Sequence, residues 1–412
     1  MAIYKTKNIS GDILSYYNDA LSTPLSISAI KNELSKPIIR PRFRLHWLNE
    51  DETVKDILPM EDIVSGSYNE NYQNGQRRNI SLTLHNEDKR YTPSINGIWD
   101  SVKFSFESGI EIDGGEVIWF PKGIYIVSNV TSSNSSGGKT VNVDLTDKYS
   151  IFEGRSGTFE TTYSISPGIT IQDIITDILN YNRGDGTRLD PKPMVYNSAF
   201  LDKKTQATIT KEAGSNFGEV LNELATQLSA EVFYDTLGNL TWVPINETSD
   251  DIDKPIIYQL YDVEGDFNNN DLSFGMSDIV NRVIVTGATV NGGVCRATAL
   301  NDDPSSPMCY QRIGYRTADV INDTNITSDI LAQERADYEL RQKLILKTTA
   351  SVTTMFNPLL MVNNMVGITD EFYGFEQEKF LIQSLSYSLD ASGTMSLSLT
   401  NARNLPFVVG GR

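Results

Sequence analysis

Apolar and polar positions alternate strictly in two widely separated stretches of this chain. In "YIVSNVTSSNSSGGKTVNVDLTD", Tyr125 to Asp147, an apolar strand with Val127 and Val130 runs into a Ser/Asn/Gly tip, after which Val141, Val143 and Leu145 occupy every second position. That is the period of a half-buried β-strand, and the whole reads as a hairpin. "FLIQSLSYSLDASGTMSLSLTN", Phe380 to Asn401, repeats it: Ile382 corresponds to Val127, Leu385 to Val130, and Met395, Leu397 and Leu399 to the alternating trio, at an offset constant to within one loop residue. The two apolar trios are expected to face the core, which turns Asn142, Asp144, Ser396 and Ser398 outward.

The pattern elsewhere divides the chain. Residues 1–38 are weakly patterned, with short helical stretches ending near Pro37, and read as an N-terminal arm. From 39 to 155, "RFRLHWL", "NISLTLH", "SVKFSFE" and "EVIWF" alternate or are rich in β-branched and aromatic residues, with turn clusters such as "NENYQNGQRRN" between them. Six or seven strands of a barrel or sandwich are expected there. Over 156–255 the period becomes helical. Ile171, Ile174, Ile175, Ile178 and Leu179 share one face behind a Thr170 N-cap, and Phe217, Val220, Leu221, Leu224 and Leu228 share another behind Ser215, followed by a hairpin around "DTLGN". The last region, 256–408, holds the strand "NRVIVTGATV", then a polar excursion and the helix "SDILAQERADYELRQKLILKT", an insertion of about 290–347, before strands return and the second hairpin closes it. Each hairpin is preceded by a proline (Pro93, Pro358) and an apolar strand. The fold class expected is mainly β with α+β: two similar antiparallel β-barrel domains bracketing an α+β region, the alternative being two unrelated hairpins whose alternation is convergent.

Charge narrows the function. The 412 residues carry 35 Lys and Arg against 53 Asp and Glu, a formal charge of −18, which argues against a protein that grips phosphates. No apolar run is long enough to span a membrane, and the opening "MAIYKTKNIS" lacks a secretory pattern. Catalytic material is sparse. The two histidines, His46 and His85, sit inside expected strands, where packing is their ordinary role, and neither a Cys-x-x-Cys nor a helical His pair exists for zinc. "GSNFG" has its serine misplaced for a nucleophile elbow, and "NRGDGTRLD", with Asp185 and Asp190, lacks the ligand spacing of a calcium loop. Trp47, Trp99, Trp119 and Trp242 are placed in or beside strands as core residues, a sugar-stacking platform being the other reading. Cys295 and Cys309 are read as two thiols in a reducing compartment, with a disulfide as the alternative. No enzyme activity, cofactor or metal is expected.

Assembled in this order, "GIYIVSNV…KTVNVDLTDKYSIFEG", "FGEVLNELATQLSAEVFYDTLGNLTWVP", "NRVIVTG" and "PLLMVNNMVGITDEFYG…KFLIQSLSYSLDASGTMSLSLTNARN" resemble the central hub proteins of phage tail tips and baseplates, a family that extends to contractile injection systems. The resemblance covers roughly residues 40–405. It implies two tube-like β-domains per subunit and a homotrimeric ring whose six similar barrels adapt a sixfold tail tube to threefold fibres or spikes. The ring-forming hairpins would be Tyr125, Val127, Val130, Val141, Val143 and Leu145 in one copy, and Phe380, Ile382, Leu385, Met395, Leu397 and Leu399 in the other. It also implies a place in the virion tail tip after synthesis in the host cytoplasm, and an acidic channel for DNA with no sequence-specific binding. Partners would be a distal-tail or tail tube protein and a fibre, spike or tape-measure protein. The alternatives are a tail-associated protein that binds or hydrolyses cell wall, and a distal-tail or tube ring protein.

Overall fold

A computed structural model shows a mainly β chain with an α+β portion and large antiparallel sheets. It describes residues 27–403 apart from 35, 37, 74, 95–96, 100–101, 136–137, 155–156, 182–188, 193, 197–202, 206–207, 229, 245–253, 263–266, 275–278, 291, 324–325, 345 and 392. The expected helix at "GDILSYYNDAL" lies outside the described residues.

Helix α1 (Ile27–Leu34) precedes seven strands: β1 (Pro41–Leu48), β2 (Val54–Leu58), β3 (Ile63–Asn71), β4 (Arg78–His85), β5 (Lys103–Glu111), β6 (Val117–Ser135) and β7 (Gly138–Asp147). A 3-10 turn at Lys148–Phe152 leads to β8 (Tyr163–Ile165), α2 (Ile171–Leu179), β9 (Val195–Tyr196), β10 (Ile209–Lys211), α3 (Phe217–Leu228), β11 (Ala230–Tyr234) and β12 (Leu240–Pro244). The remainder is β13 (Ile256–Tyr261), β14 (Phe267–Phe274), β15 (Arg282–Val290), β16 (Gly293–Leu300), α4 (Tyr310–Ile313), β17 (Ile321–Asn322), α5 (Asp329–Lys343), β18 (Leu346–Met355), β19 (Met365–Asp370), β20 (Phe375–Ser388) and β21 (Thr394–Arg403). Two compact units emerge. One is drawn from Met1–Ile245, Thr353–Asn364 and Gln383–Leu397, the other from Asn246–Val352, Met365–Ile382 and Ser398–Arg412.

In the first unit the strands run in the order β2, β1, β5, β6, β7, β4, β3, and then the Ser384–Ser388 stretch of β20, every neighbour antiparallel. Phe43 of β1 stacks on Tyr387 of β20 at 6.0 Å and on Phe106 of β5 at 6.2 Å, while Tyr68 of β3 stacks on Tyr387 at 4.8 Å. Strands far apart in the sheet order therefore meet across one aromatic interior, and burying these rings is what curls the sheet on itself. "EVIWF" and the first arm of the hairpin, expected as separate strands, are one strand, β6, because Pro121 faces Glu107 where the β5 pairing shifts register and its missing N–H breaks no ladder.

The α+β portion of this unit packs α2 and α3 with β11 and β12 around Ile174, Ile178, Val220, Leu224 and Trp242. Thr170 caps α2 as expected, its hydroxyl accepting from Asp173 N at 3.1 Å. Helix α3 starts one residue later than the Ser215 cap implies. The Ser215 carbonyl is taken by Phe159 N at 3.0 Å, so Asn216 holds the cap position and its N–H donates to Glu219 Oε1.

The second unit carries β14, β18, β21, β20, β19 and β13 in that hydrogen-bonded order, with β13 and β19 parallel. Beside it in sequence, β15 pairs with β16 antiparallel and with β17 parallel, and α5 lays Ala332, Ala336 and Leu340 on Val283, Val285, Ala297 and Ala299. The expected polar excursion thus contains strand β16. Its buried side is Cys295, Ala297 and Ala299, too weakly apolar to register as a strand face.

Candidate assembly surfaces and the buried charge network

Strands β6 and β7 form the first hairpin with Val127 opposite Leu145, Val130 opposite Val143 and Ser132 opposite Val141. A register shift between Val127 and Asn129 turns Ser128 outward, where its hydroxyl donates to the Asp144 carbonyl at 3.0 Å. Tyr125, Val127, Val141, Val143 and Leu145 are buried and Val130, nearer the tip, is half-buried. In the second hairpin Phe380, Ile382, Leu385, Met395, Leu397 and Leu399 are all buried, while Ser396 and Ser398 are exposed.

Directly opposed residues share a face, so the pairings define the outward side of the first unit's sheet. Ser384, Ser386 and Ser388 oppose Asn71, Asn69 and Ser67, and Asn69 and Ser67 oppose Asn79 and Ser81 in turn. Beyond them lie Thr146, Asp144 and Asn142. Cross-strand hydrogen bonds tie this face together: Asn69 to Asn79 at 3.1 Å, Ser81 to Asp144 at 2.9 Å and Thr83 to Asn142 at 2.9 Å. On β20, β3, β4 and β7 these opposed positions carry hydroxyls and amides, one carboxylate, and neither Lys nor Arg; the same face continues across β6 to Lys103 of β5 and to Arg44 and Arg42 of β1, which pair with Glu52, Glu107 and Glu111.

The inward side of the same unit holds buried charges among its apolar residues. Arg78, at an inward position of β4 with Ile80 and Leu82, donates to Glu70 at 2.9 Å and to the Tyr234 carbonyl of β11 at 3.0 Å. Arg77 pairs with Glu231 at 2.7 Å and lies 3.5 Å from the Phe233 ring centre. Lys148, fully buried, reaches Glu52 and Asp190 at 2.6 Å each and donates to Gly238 O at 3.1 Å. Burial works to raise the Glu52 pKa, but Lys148 and Lys103 overcome it and hold the carboxyl below its ordinary range. Asp147 differs. Its Oδ1 accepts from Tyr149 N at 3.0 Å, its Oδ2 has no hydrogen-bond partner, and burial pushes its pKa up to about 6 against the pull of Arg78, 3.9 Å away. Lys122, also buried, donates to the carbonyls of Pro358 and Leu360 at 2.7 and 3.2 Å, and desolvation lowers it to about 8. These groups are spent on joining β-sheet to α+β layer and sheet to returning chain.

Arg77 and Arg78 fall in a cluster that reads as a turn, so the sequence alone does not lead to this network. The signal was present: the alternation Ile80, Leu82, Leu84 extends back to Arg78 on the same face.

The residues weighed for chemistry are dispersed. His46 Nε2 lies 3.8 Å from Glu107, and burial lowers its pKa; His85 is exposed. Of "NRGDGTRLD", 182–188 lie outside the described residues, and Asp190 is held by Lys148 and by Tyr234 Oη at 2.5 Å. Cys295 and Cys309 are free and buried. Trp47 and Trp242 are buried, Trp119 is covered by Arg44 at 4.2 Å, and Trp99 is 56% exposed. Among the described residues no group of three or more His, Cys, Asp or Glu is placed to hold a metal. A 250 Å³ cavity is lined by Ile38, Ile39 and Ile110, with Lys36 paired to Asp113 and Arg40 to Glu111 at its rim.

A family model described as a domain of unknown function (DUF5048) matches residues 305–405. No curated protein matches. Among solved structures, the chain resembles the 43 kDa tail protein of prophage MuSo2 from Shewanella oneidensis at TM-score 0.54 and 17% identity, over 87% of this chain and 97% of that one. It also resembles the tail protein from Neisseria meningitidis MC58 at TM-score 0.57 and 11% identity, over 87% and 96% of the two chains. A chain of the lidded Francisella PdpA-VgrG complex aligns at TM-score 0.56 and 11% identity, over 92% of this chain and 56% of that one. The chain shares the fold of these proteins.

Proposed function

We propose that this chain is a structural hub of a phage tail tip or baseplate, or the equivalent part of a related injection machine. Three copies close a ring, and the β-domains of each, 39–155 and 256–408, supply six similar lobes that join a sixfold tube to threefold components. Its neighbours would be a distal-tail or tube protein on one side and a fibre, spike or tape-measure protein on the other, and no bond is made or broken in its work.

The observation that carries this reading is the chemistry of the outward face of β20, β3, β4 and β7, away from the paired Lys103, Arg44 and Arg42 of β5 and β1. Nucleic acid is retained on proteins by Lys and Arg that displace counterions from phosphates. The opposed positions of this face offer none, in a chain with 35 such residues. Several of its hydroxyls and amides are already engaged across strands, and its carboxylate, Asp144, repels phosphate. Such a surface suits the wall of a channel through which DNA slides. The test is electron microscopy of the purified full chain with its mass measured in solution. A ring of three with a central hole and six lobes is the expected result. A particle with one β-lobe per copy overturns the duplicated arrangement, and release of sugars from purified cell walls overturns the structural role.

A further inference from the structure

Two exposed aromatic patches of opposite charge lie in the second unit, and each is tied in place by side-chain hydrogen bonds to backbone. In the turn between β19 and β20, Asp370 Oδ1 accepts from Tyr373 N at 3.2 Å, Asp262 Oδ2 accepts from Glu371 N at 2.9 Å, and Gly374 takes the positive φ of 69° that closes the turn. Tyr373 stacks on Phe375 at 5.8 Å. What this scaffold presents is Phe372, 86% exposed, between the exposed carboxylates of Glu371 and Glu376. Beyond an edge-on contact with Tyr373 at 4.9 Å, a large ring held in water by this turn gains little for folding, whereas it enters a partner with little further loss of entropy.

The other patch is the corner around α4. Buried Asn281 fixes it, donating to the Met308 and Gly314 carbonyls at 3.1 and 2.8 Å and accepting from Arg316 N at 2.8 Å. Tyr310 and Tyr315 stack nearly parallel at 5.3 Å, Tyr315 is 60% exposed, and the Arg282 guanidinium lies 5.1 Å from its ring centre. Arg312 and Arg316 are exposed beside it, and Arg282, Arg312 and Arg316 form no ion pair among the described residues. Three uncompensated guanidinium groups around stacked tyrosines are unusual on a chain of charge −18.

We propose that the Phe372 turn of one copy docks on the Tyr310/Tyr315 corner of the next copy. Phe372 packs on the tyrosine pair, and Glu371 and Glu376 meet Arg312 and Arg316. The inference rests on the ring proposed above and names the contact that closes it. Each copy carries one patch of each kind, so the contact is head-to-tail, and every patch is satisfied only when the ring closes. The pairing is self-complementary in charge, which favours a second copy over nucleic acid or glycan as the occupant of the arginine corner.

The test is sedimentation velocity of the full chain at low and high salt, with circular dichroism verifying the fold of each variant. Reversing Arg312→Glu with Arg316→Glu, or Glu371→Arg with Glu376→Arg, weakens ring association on the order of 100-fold, and Phe372→Ala weakens it about 30-fold. The chain carrying all four reversals returns to within about tenfold of the parent. High salt weakens the parent ring in the same direction. If the parent forms rings that the reversals leave intact, or the fourfold variant is not restored, the contact lies elsewhere and the hub reading stands without it. A parent that stays monomeric in both salts overturns the ring and this contact together.

Discussion

In the first unit, Lys148 sits fully buried between Glu52 and Asp190, and Arg78 between Glu70 and the Tyr234 carbonyl. In the second, α5 is seated on β15 and β16 by Ala332, Ala336 and Leu340. Both devices hold a helical layer or a following element to strands, but by opposite physics. A buried ion pair recovers its desolvation cost only in one geometry, so it fixes position at little net gain. Alanines let backbones close in, adding apolar burial that tolerates small displacements. The β-to-α+β junction of the first unit is thereby built for defined geometry, and the α5 module of the second for simple adhesion.

The largest effect is expected from Lys148→Met. It leaves Asp190 buried without its ion-pair partner, while Glu52 keeps Lys103 at 2.9 Å, and costs about 3–5 kcal/mol. Denaturant unfolding should show the loss, and hydrogen exchange should place it in β11, β12 and the 3-10 turn rather than in α5. A loss below about 1 kcal/mol would mean that the network ranks with surface ion pairs. Next comes Leu340→Ala, at about 2–4 kcal/mol from lost burial and the cavity left. Its added exchange should be confined to α5, β15 and β16, which would separate a packing-held module from a charge-held one.

Asp147 sharpens the contrast through pH. Its pKa in the folded chain, about 6, lies above the ordinary 3.8 because of burial, so the folded state binds this proton more tightly than the unfolded one. Stability from this group is fully present below about pH 4 and is lost as pH rises through about 6, a change of about 2–3 kcal/mol. Glu52, held below its ordinary range, acts in the opposite sense and loses stability only as pH falls. Comparing Asp147→Asn with the parent isolates the first effect. The parent should gain on the variant between pH 7 and 4, and a difference flat across that window would mean that Asp147 stays ionised.

What the sequence disclosed follows from range. The hairpin trios and the Thr170 cap depend on neighbours a few residues apart, and the period carries them: Val141, Val143 and Leu145 are buried, as are Met395, Leu397 and Leu399. Pairing is set by tertiary contact, so nothing in "SLSYS" declares that Ser384–Ser388 lies against Ser67–Asn71. Strand β16 was hidden because its inward residues are Cys and Ala. The ionic network was hidden because charged residues are read as surface unless an alternating run claims them, as it does at Arg78. The Arg/Tyr corner gathers Arg282, Tyr310 and Tyr315 from positions that only the fold brings together.

The smallest effect is expected at the helix N-caps. Each unit contains one helix closed by the same device: the Thr170 hydroxyl accepts from Asp173 N at 3.1 Å on α2, and the Ser328 hydroxyl from Leu331 N at 3.3 Å on α5. Thr170→Ala and Ser328→Ala should each cost about 1 kcal/mol. If hydrogen exchange finds equal local losses, the two units transmit an equal perturbation equally, and the larger differences above belong to their cores. Should Ser328→Ala cost nothing, the start of α5 is held instead by Asp329, whose carboxylate accepts from Arg296 N at 3.0 Å. In that event Asp329→Ala becomes the matched variant, and the loss it produces at the start of α5 is the one to set against Thr170→Ala.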